Sequence, residues 1–168
     1  LAGLLLLIAL ISAFNSWRKG SLLESQRGLE TLRSISWREF EELVGEAYRR
    51  RGYAVAETGG GGADGEADLV LKKGSERLLV QCKHWKVQKV SVNVVRELYG
   101  VVSAEGSTGG ILISSGTYTQ EAKEFARANG IELVDGSQLM RLIAEVQRNP
   151  NVVASVEKSN MCPICGAE

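Results

Sequence analysis

The stretch DLVLKKGSERLLVQCK, residues 68–83, predicts a β-hairpin at the centre of the fold. Two largely apolar strand sequences, 68–71 and 77–83, flank the polar turn sequence 72–76. Leucine and valine runs favour strands, whereas the glycine and serine between them favour a turn. A hairpin pairs its two strands antiparallel, so we expect an antiparallel part in the sheet.

The rest of the chain predicts helices that alternate with strands. Ser36-Trp37-Arg38-Glu39 fits a capping box, in which the serine and glutamate side chains satisfy free amides at a helix start. The predicted elements are a helix from there to Gly52, strands at 53–57, 68–71 and 77–83, a helix after Ser91, a strand at 110–114, a helix at 119–129, a strand at 131–134 and a helix at 137–147. We therefore expect an α/β fold with a mixed sheet flanked by helices, in the order α-β-β-β-α-β-α-β-α.

Side-chain alternation in the second hairpin strand predicts a site on one of its faces. Gln81 and Lys83 share one side, whereas Val80 and Cys82 point to the other side, into the core. Asp68 opens the partner strand, where its carboxylate can lie beside Gln81. A carboxylate, an amide oxygen and the Cys82 carbonyl are hard oxygen ligands of the kind that Mg²⁺ binds. An ammonium next to metal-bound water lowers the pKa of that water and stabilises charge growing on a phosphate.

Several motifs in the same order and spacing resemble the PD-(D/E)xK nucleases, specifically the Mrr-type restriction endonuclease family in its QxK form. The resemblance covers residues 35–143. The matching motifs are Phe40-Glu41, Gly52-Tyr53, Gly62-Ala63-Asp64-Gly65-Glu66-Ala67-Asp68, Val80-Gln81-Cys82-Lys83-His84-Trp85, Val95-Arg96-Glu97-Leu98-Tyr99-Gly100 and Ile131-Glu132-Leu133-Val134-Asp135-Gly136.

This resemblance implies a role for each residue of the candidate site. Asp68 would be the main metal ligand, Gln81 a second ligand through its side-chain oxygen, and Lys83 the residue that activates or orients water. Glu41 matches the acid of the family's first helix. On a helical wheel Glu41 borders the apolar stripe while Glu42 lies behind it, so Glu41 is the acid expected to reach inward. The implied cofactor is Mg²⁺ or Mn²⁺.

The resemblance also implies an activity. We expect an endonuclease that hydrolyses phosphodiester bonds of double-stranded DNA by metal-activated water, leaving a 5′-phosphate and a 3′-hydroxyl, as in DNA restriction. A Holliday-junction resolvase has the same chemistry on a different DNA shape. A catalytically inactive, membrane-tethered nucleic-acid-binding module is the alternative without turnover. A homodimer is left open.

The charge balance confines any DNA-binding surface to part of the molecule. The chain has 20 basic and 20 acidic residues among 168, a formal net charge of zero, so the whole molecule is not a general binder of polyanions. His84 is the only histidine, and we expect it to line the groove or contact the DNA backbone rather than to catalyse. The candidate DNA-binding residues are Gly61, Gly62, Asp64, His84, Lys86 and Lys89.

The amino-terminal segment predicts a membrane helix. Residues 1–14, LAGLLLLIALISAF, are almost wholly apolar and precede Trp17, Arg18 and Lys19. Interfacial tryptophan and cations of this kind end transmembrane helices and favour a cytoplasmic remainder, so we expect residues 1–19 to be the end of such a helix. A signal-peptide core is the alternative. The polar segment 20–34, with its scattered leucines, predicts a helical linker before a nuclease domain at 35–147.

The cysteines predict half of a zinc site. Cys162 and Cys165 form a CxxC pair that resembles the start of the zinc finger in type I topoisomerases, in segment 161–168 after a linker at 148–160. A structural zinc ion needs four ligands, so we expect Zn²⁺ binding only together with further cysteines. Three cysteines, an odd number, argue against a disulfide scaffold and for a reducing compartment.

Overall fold

The computed structural model describes residues 2–58, 67–84 and 89–148. It confirms the predicted α/β fold and the predicted order of its main elements. The helices are α1 (Ala2–Ser25), α2 (Leu29–Ser34), α3 (Trp37–Arg50), α4 (Val92–Ala104), α5 (Gln120–Ala128) and α6 (Gly136–Arg148). The strands are β1 (Ala54–Glu57), β2 (Leu69–Lys73), β3 (Glu76–Lys83), β4 (Lys89–Val90), β5 (Gly109–Ser114), β6 (Thr117–Tyr118) and β7 (Ile131–Val134).

The main sheet is mixed, as the sequence predicts. Its strand order is β1-β2-β3-β5-β7. The pairs β1 with β2 and β2 with β3 are antiparallel, whereas β3 with β5 and β5 with β7 are parallel. The short strands β4 and β6 form a separate parallel pair, which the sequence analysis did not predict. The central strand β3 therefore joins the hairpin to the parallel half of the sheet.

Helices cover both faces of this sheet. On one face α1, α2, α3 and α6 enclose a core that includes Val80 and Cys82 of β3. On the other face α4 and α5 pack over a core that includes Leu79 of β3. The predicted capping box starts α3, since the Ser36 hydroxyl accepts from the Glu39 amide and the Glu39 carboxylate accepts from the Ser36 amide. Side-chain alternation thus sends neighbouring residues of β3 into different cores.

Residues 20–34, which the sequence analysis interprets as a helical linker, contribute buried leucines to the core. Leu23 at the end of α1 and Leu32 in α2 are fully buried in the same cluster as α3. The side chain of Gln147 donates hydrogen bonds to the carbonyls of Leu23, at 2.8 Å, and Gln26, at 3.1 Å. The scattered leucines of this segment therefore pack on α3 and α6.

The first part of α1 is exposed to solvent, unlike Leu23 near its end. Its large apolar side chains between Leu4 and Trp17 are 52–68% exposed. The helix continues without a break to Ser25, past the predicted boundary at residue 19. Within residues 2–58, 67–84 and 89–148, none of the helices combines the length and the apolar character that crossing a membrane requires.

Some of the predicted site residues lie outside the described part of the chain. These are Gly61, Gly62, Asp64, Lys86, Cys162 and Cys165. Their proposed contacts with DNA and zinc stay predictions.

Candidate active site

Asp68 and Gln81 face each other across the hairpin. The pairing of Leu69 with Val80 makes Asp68 and Gln81 the next pair towards the end of β3. The Asp68 amide donates to the Val80 carbonyl at 2.8 Å, and the Cys82 amide donates to Asp68 Oδ2 at 2.6 Å. Directly paired residues of antiparallel strands point to the same face. The Asp68 carboxylate is therefore fixed beside the segment that carries Gln81.

Gln81 has a buried oxygen without a partner. Its side chain is only 3% exposed, and within the described residues its Oε1 atom accepts no hydrogen bond. An unsatisfied buried polar atom costs about 1–3 kcal/mol. Buried polar atoms of this kind call for an explanation, and a bound cation is one. This oxygen, on the same face as the Asp68 carboxylate, fits a hard divalent cation.

Few protein groups are available to such a cation. No group of three or more His, Cys, Asp or Glu side chains that could hold a metal occurs among the described residues. Mg²⁺ retains several water molecules and is often held by one or two carboxylates together with substrate phosphates. The Asp68 and Gln81 oxygens are hard donors of the kind that Mg²⁺ takes, and they are too few for a closed zinc site.

Lys83 lies at the end of β3 on the same face as Gln81. It is half-buried and pairs in register with Ser114 of β5. Burial raises the pKa of Asp68 above its ordinary value, while the Cys82 amide and the Lys83 ammonium act in the opposite direction. The Lys83 charge thus acts on the Asp68 carboxylate.

Glu41 approaches the site from α3, which covers the opposite face of the sheet. Its half-buried carboxylate accepts a hydrogen bond from the Trp37 indole nitrogen. Burial raises the pKa of Glu41, the Trp37 hydrogen bond lowers it, and the charges of Asp68 and Glu57 raise it further. The Asp68 charge is therefore one of the influences on the Glu41 carboxyl group.

The buried Cys82 thiol is affected by the charges of the same residues. Burial raises its pKa well above the ordinary value, and the Asp68 and Glu41 charges add to that effect. The Lys83 charge acts in the opposite direction. Two carboxyl groups with raised pKa values favour binding of a proton or a metal cation. The structure therefore places Asp68 against the Gln81–Cys82 segment, and the charges of Lys83 and Glu41 are the nearby charges that act on this region.

The prediction that Glu42 lies behind the apolar stripe of α3, away from the protein interior, is wrong. Its side chain is 6% exposed, and Arg18 of α1 donates to both of its carboxylate oxygens at 2.7 Å. Arg38 lies at 3.6 Å. The sequence analysis placed α1 outside the domain, and so it missed the helix that covers this side of α3.

The two described DNA-binding candidates, His84 and Lys89, occupy different environments. Lys89 is exposed on β4. His84 is half-buried, with its ring stacked on Phe40 at a centroid distance of 4.9 Å and its Nε2 atom 2.9 Å from the Ile35 carbonyl oxygen. The structure thus places His84 against the start of α3, and its groove-lining role stays a prediction.

Trp37 is a site residue that the sequence analysis missed. It was assigned only to the capping box, yet its indole nitrogen holds the Glu41 carboxylate. Residues four positions apart lie on the same side of a helix, so the Trp37 and Glu41 spacing was the available signal.

Comparison with known proteins identifies similar sequences. Residues 32–143 match the family Mrr_cat, described as restriction endonuclease. The chain is 33% identical over 126 residues to the type IV methyl-directed restriction enzyme EcoKMrr of Escherichia coli K12, covering 70% of this chain and 41% of that enzyme. It is 31% identical over 100 residues to the uncharacterized protein y4cE of Sinorhizobium fredii, covering 56% of this chain and 25% of that protein. The chain thus spans less than half the length of either relative.

Two solved structures are similar to parts of this chain. The crystal structure of AF1548, a protein of unknown function, superimposes with a TM-score of 0.54 at 19% identity, covering 64% of this chain and 65% of that one. The MspJI restriction endonuclease in complex with a 27-mer oligonucleotide gives a TM-score of 0.49 at 19% identity, covering 77% of this chain and 33% of that one. The likeness to AF1548 concerns the fold alone.

Proposed function

The chain belongs to the Mrr_cat family of restriction endonucleases, and on that premise we propose that it is a nuclease that hydrolyses phosphodiester bonds in double-stranded DNA. The observation that carries the proposal is the unpaired, buried Gln81 oxygen on the same face as the Asp68 carboxylate and the Lys83 ammonium. The similarity to the E. coli restriction enzyme supports it.

The proposed cofactor is Mg²⁺, with Mn²⁺ as a substitute. Asp68 and Gln81 would hold the cation through one side-chain oxygen each. When bound, Mg²⁺ supplies a Lewis acid that lowers the pKa of coordinated water and offsets negative charge on a phosphate. The donor set supports this assignment, since it consists of hard oxygen atoms only.

The protein side chains divide the remaining work. The Lys83 ammonium, next to Asp68, orients the attacking water and stabilises the charge that develops on the phosphate. The Asp68 carboxylate is held by the Cys82 amide, so it is aligned before substrate arrives. Glu41, held by Trp37, adds negative charge on the far side and increases the affinity of the site for a cation.

The proposed substrate is bound mainly through its phosphates. With a net charge of zero, the protein needs a local basic surface, and Lys89 on β4 is an exposed cation. Phosphate contacts fix position and affinity without reading sequence. We therefore expect binding of duplex DNA that weakens steeply with salt.

Cleavage of supercoiled plasmid by the whole purified chain tests this function. We expect nicking or linearisation in Mg²⁺ or Mn²⁺ and none after chelation. Linear duplex and four-way junctions of the same sequence are compared in parallel. Preference for the junction would make the protein a resolvase, and DNA binding without cleavage in either metal would make it a binding module.

We also propose that α1 attaches the domain to a membrane, with the nuclease on the cytoplasmic side. Support comes from the exposed large apolar side chains of α1 between Leu4 and Trp17, because a large exposed apolar patch marks a surface that binds an apolar partner such as a membrane. Fractionation of cells expressing the full-length protein tests this. Recovery in the membrane fraction, released by detergent, is expected, and complete recovery in the soluble fraction without detergent contradicts it.

A further inference from the structure

His84 connects the two elements that carry the candidate site. It follows Lys83 directly at the end of β3, and its ring stacks on Phe40 of α3, which directly precedes Glu41. The ring planes lie 27° apart with centroids separated by 4.9 Å. The stacked pair His84 and Phe40 therefore joins the chain next to Lys83 to the chain next to Glu41.

A hydrogen bond strengthens the same connection. His84 Nε2 lies 2.9 Å from the carbonyl oxygen of Ile35. Ile35 is the C-cap of α2 and precedes Ser36, the N-cap of α3, so its carbonyl belongs to neither helix. An imidazole N–H donor at this distance satisfies that carbonyl and fixes the start of α3 to the end of β3.

We propose that His84 is a positioning residue, a role that rests on the proposed nuclease function. The contacts with Phe40 and Ile35 hold α3, with Glu41, at a set distance from β3, with Gln81 and Lys83. Glu41 approaches the site from the other face of the sheet, so its distance from Lys83 depends on how α3 is attached to β3. Misplacement of catalytic groups by about 1 Å can lower a rate about 10²-fold.

Two substitutions separate the contacts of His84. His84→Phe retains a ring against Phe40 and removes the donor to Ile35. His84→Gln provides an amide N–H at a similar reach and removes the ring. Tyr53→Phe is a matched control, because it removes a single hydrogen bond, to Glu76 Oε2 at 3.2 Å, near the opposite end of β3.

Steady-state cleavage in Mg²⁺ and DNA binding without cleavage are then measured for all four proteins. We expect His84→Phe to lower kcat about 10-fold to 100-fold with KM and DNA affinity unchanged. His84→Gln should recover most of this loss, and Tyr53→Phe should match the parent. Weaker DNA binding by His84→Phe at an unchanged kcat would overturn the proposal in favour of a DNA contact. Parental kcat in His84→Phe, or equal losses in the Phe and Gln variants, would also overturn it.

A measurement independent of activity separates this inference from the nuclease function. Crystal structures of the parent and the two His84 variants give the Cα separation of Glu41 and Lys83. We expect a change of about 1 Å in His84→Phe and the parental value in His84→Gln. An unchanged separation in His84→Phe would overturn the positioning role. A parent that cleaves no DNA would refute only the nuclease, since the separation is still measured.

Discussion

The backbone amide of Cys82 donates a hydrogen bond of 2.6 Å to Oδ2 of Asp68. Asp68 stands just before β2, so its side chain extends the β2 and β3 pairing by one polar contact. The contact orients the carboxylate, but burial still raises its pKa. Ionised Asp68 therefore lowers the stability of the metal-free protein, and the thermal midpoint of unfolding measures this effect.

We predict that Asp68→Asn raises the thermal midpoint of the metal-free protein at neutral pH. Asparagine still accepts from the Cys82 amide but carries no charge to desolvate. In the parent, folding takes up a proton as the pH falls through the raised folded pKa towards the ordinary 3.8, so the parent gains stability there. The difference between the two proteins should therefore shrink with falling pH and vanish below that value.

Glu121→Gln is the control of opposite sign. The amide and hydroxyl groups at the start of α5 lower the pKa of Glu121, so its charge stabilises the fold at neutral pH. This variant should have a lower thermal midpoint than the parent. An Asp68→Asn midpoint that is equal to or below the parental one would contradict the desolvation of Asp68.

We predict that the ion pair between Arg18 and Glu42 stabilises the packing of α1 on α3. Glu42 is buried while Arg18 is half-exposed, so Arg18→Ala should lower the free energy of unfolding by about 1–3 kcal/mol. Urea titration measures this. Arg33→Ala is the control, since Arg33 pairs with the exposed Glu30 and its loss should cost under about 1 kcal/mol. Equal effects of the two substitutions would mean that α1 is not fixed through Glu42.

We predict that Trp37→Phe shifts the acid limb of the pH–rate profile to higher pH. The indole hydrogen bond lowers the pKa of Glu41, so its removal raises that pKa and the carboxylate form is reached only at higher pH. The profile of kcat/KM between pH 4 and pH 9 measures the shift. Trp17→Phe, at an exposed position of α1, should leave the profile unchanged. A parental profile for Trp37→Phe would exclude a role for ionised Glu41.

We predict opposite effects of alanine at two glycines near α4. A Cβ at Gly110 would lie 2.7 Å from Val102 Cγ2 and 3.0 Å from Ile131 Cδ1, so Gly110→Ala should destabilise the protein by about 1–3 kcal/mol. A Cβ at Gly100 meets nothing within 4 Å, and alanine in an exposed helix position should stabilise it by about 0.5–1 kcal/mol. Calorimetric unfolding checks both signs.

The sequence predicts the local features of the fold well because their signals are local. The capping box at Ser36, the hairpin turn around Gly74 and the alternation in β3 each depend on residues close in the chain. They suffice to place Gln81 and Lys83 on one face and Asp68 opposite Gln81.

The features that the sequence analysis missed depend on contacts between distant residues. Leu23 and Leu32 belong to a segment whose polar sequence with scattered leucines predicts a helical linker. Only the packing of α1 and α2 in the folded protein buries them. The environment of Glu42 depends on Arg18, 24 residues away, and that of His84 depends on Ile35, 49 residues away. Helical periodicity in one segment carries no information about which other helix covers it.

The single-turnover cleavage rate of Lys83→Met most directly tests the claim that Lys83 acts on the phosphodiester bond. Methionine keeps most of the side-chain length and removes the ammonium, and Lys72→Met does the same at an exposed position of β2. At saturating Mg²⁺ we predict that Lys83→Met nicks supercoiled plasmid at least about 10²-fold more slowly than the parent and Lys72→Met, with unchanged affinity for DNA. Cleavage by Lys83→Met at the parental rate would contradict the account.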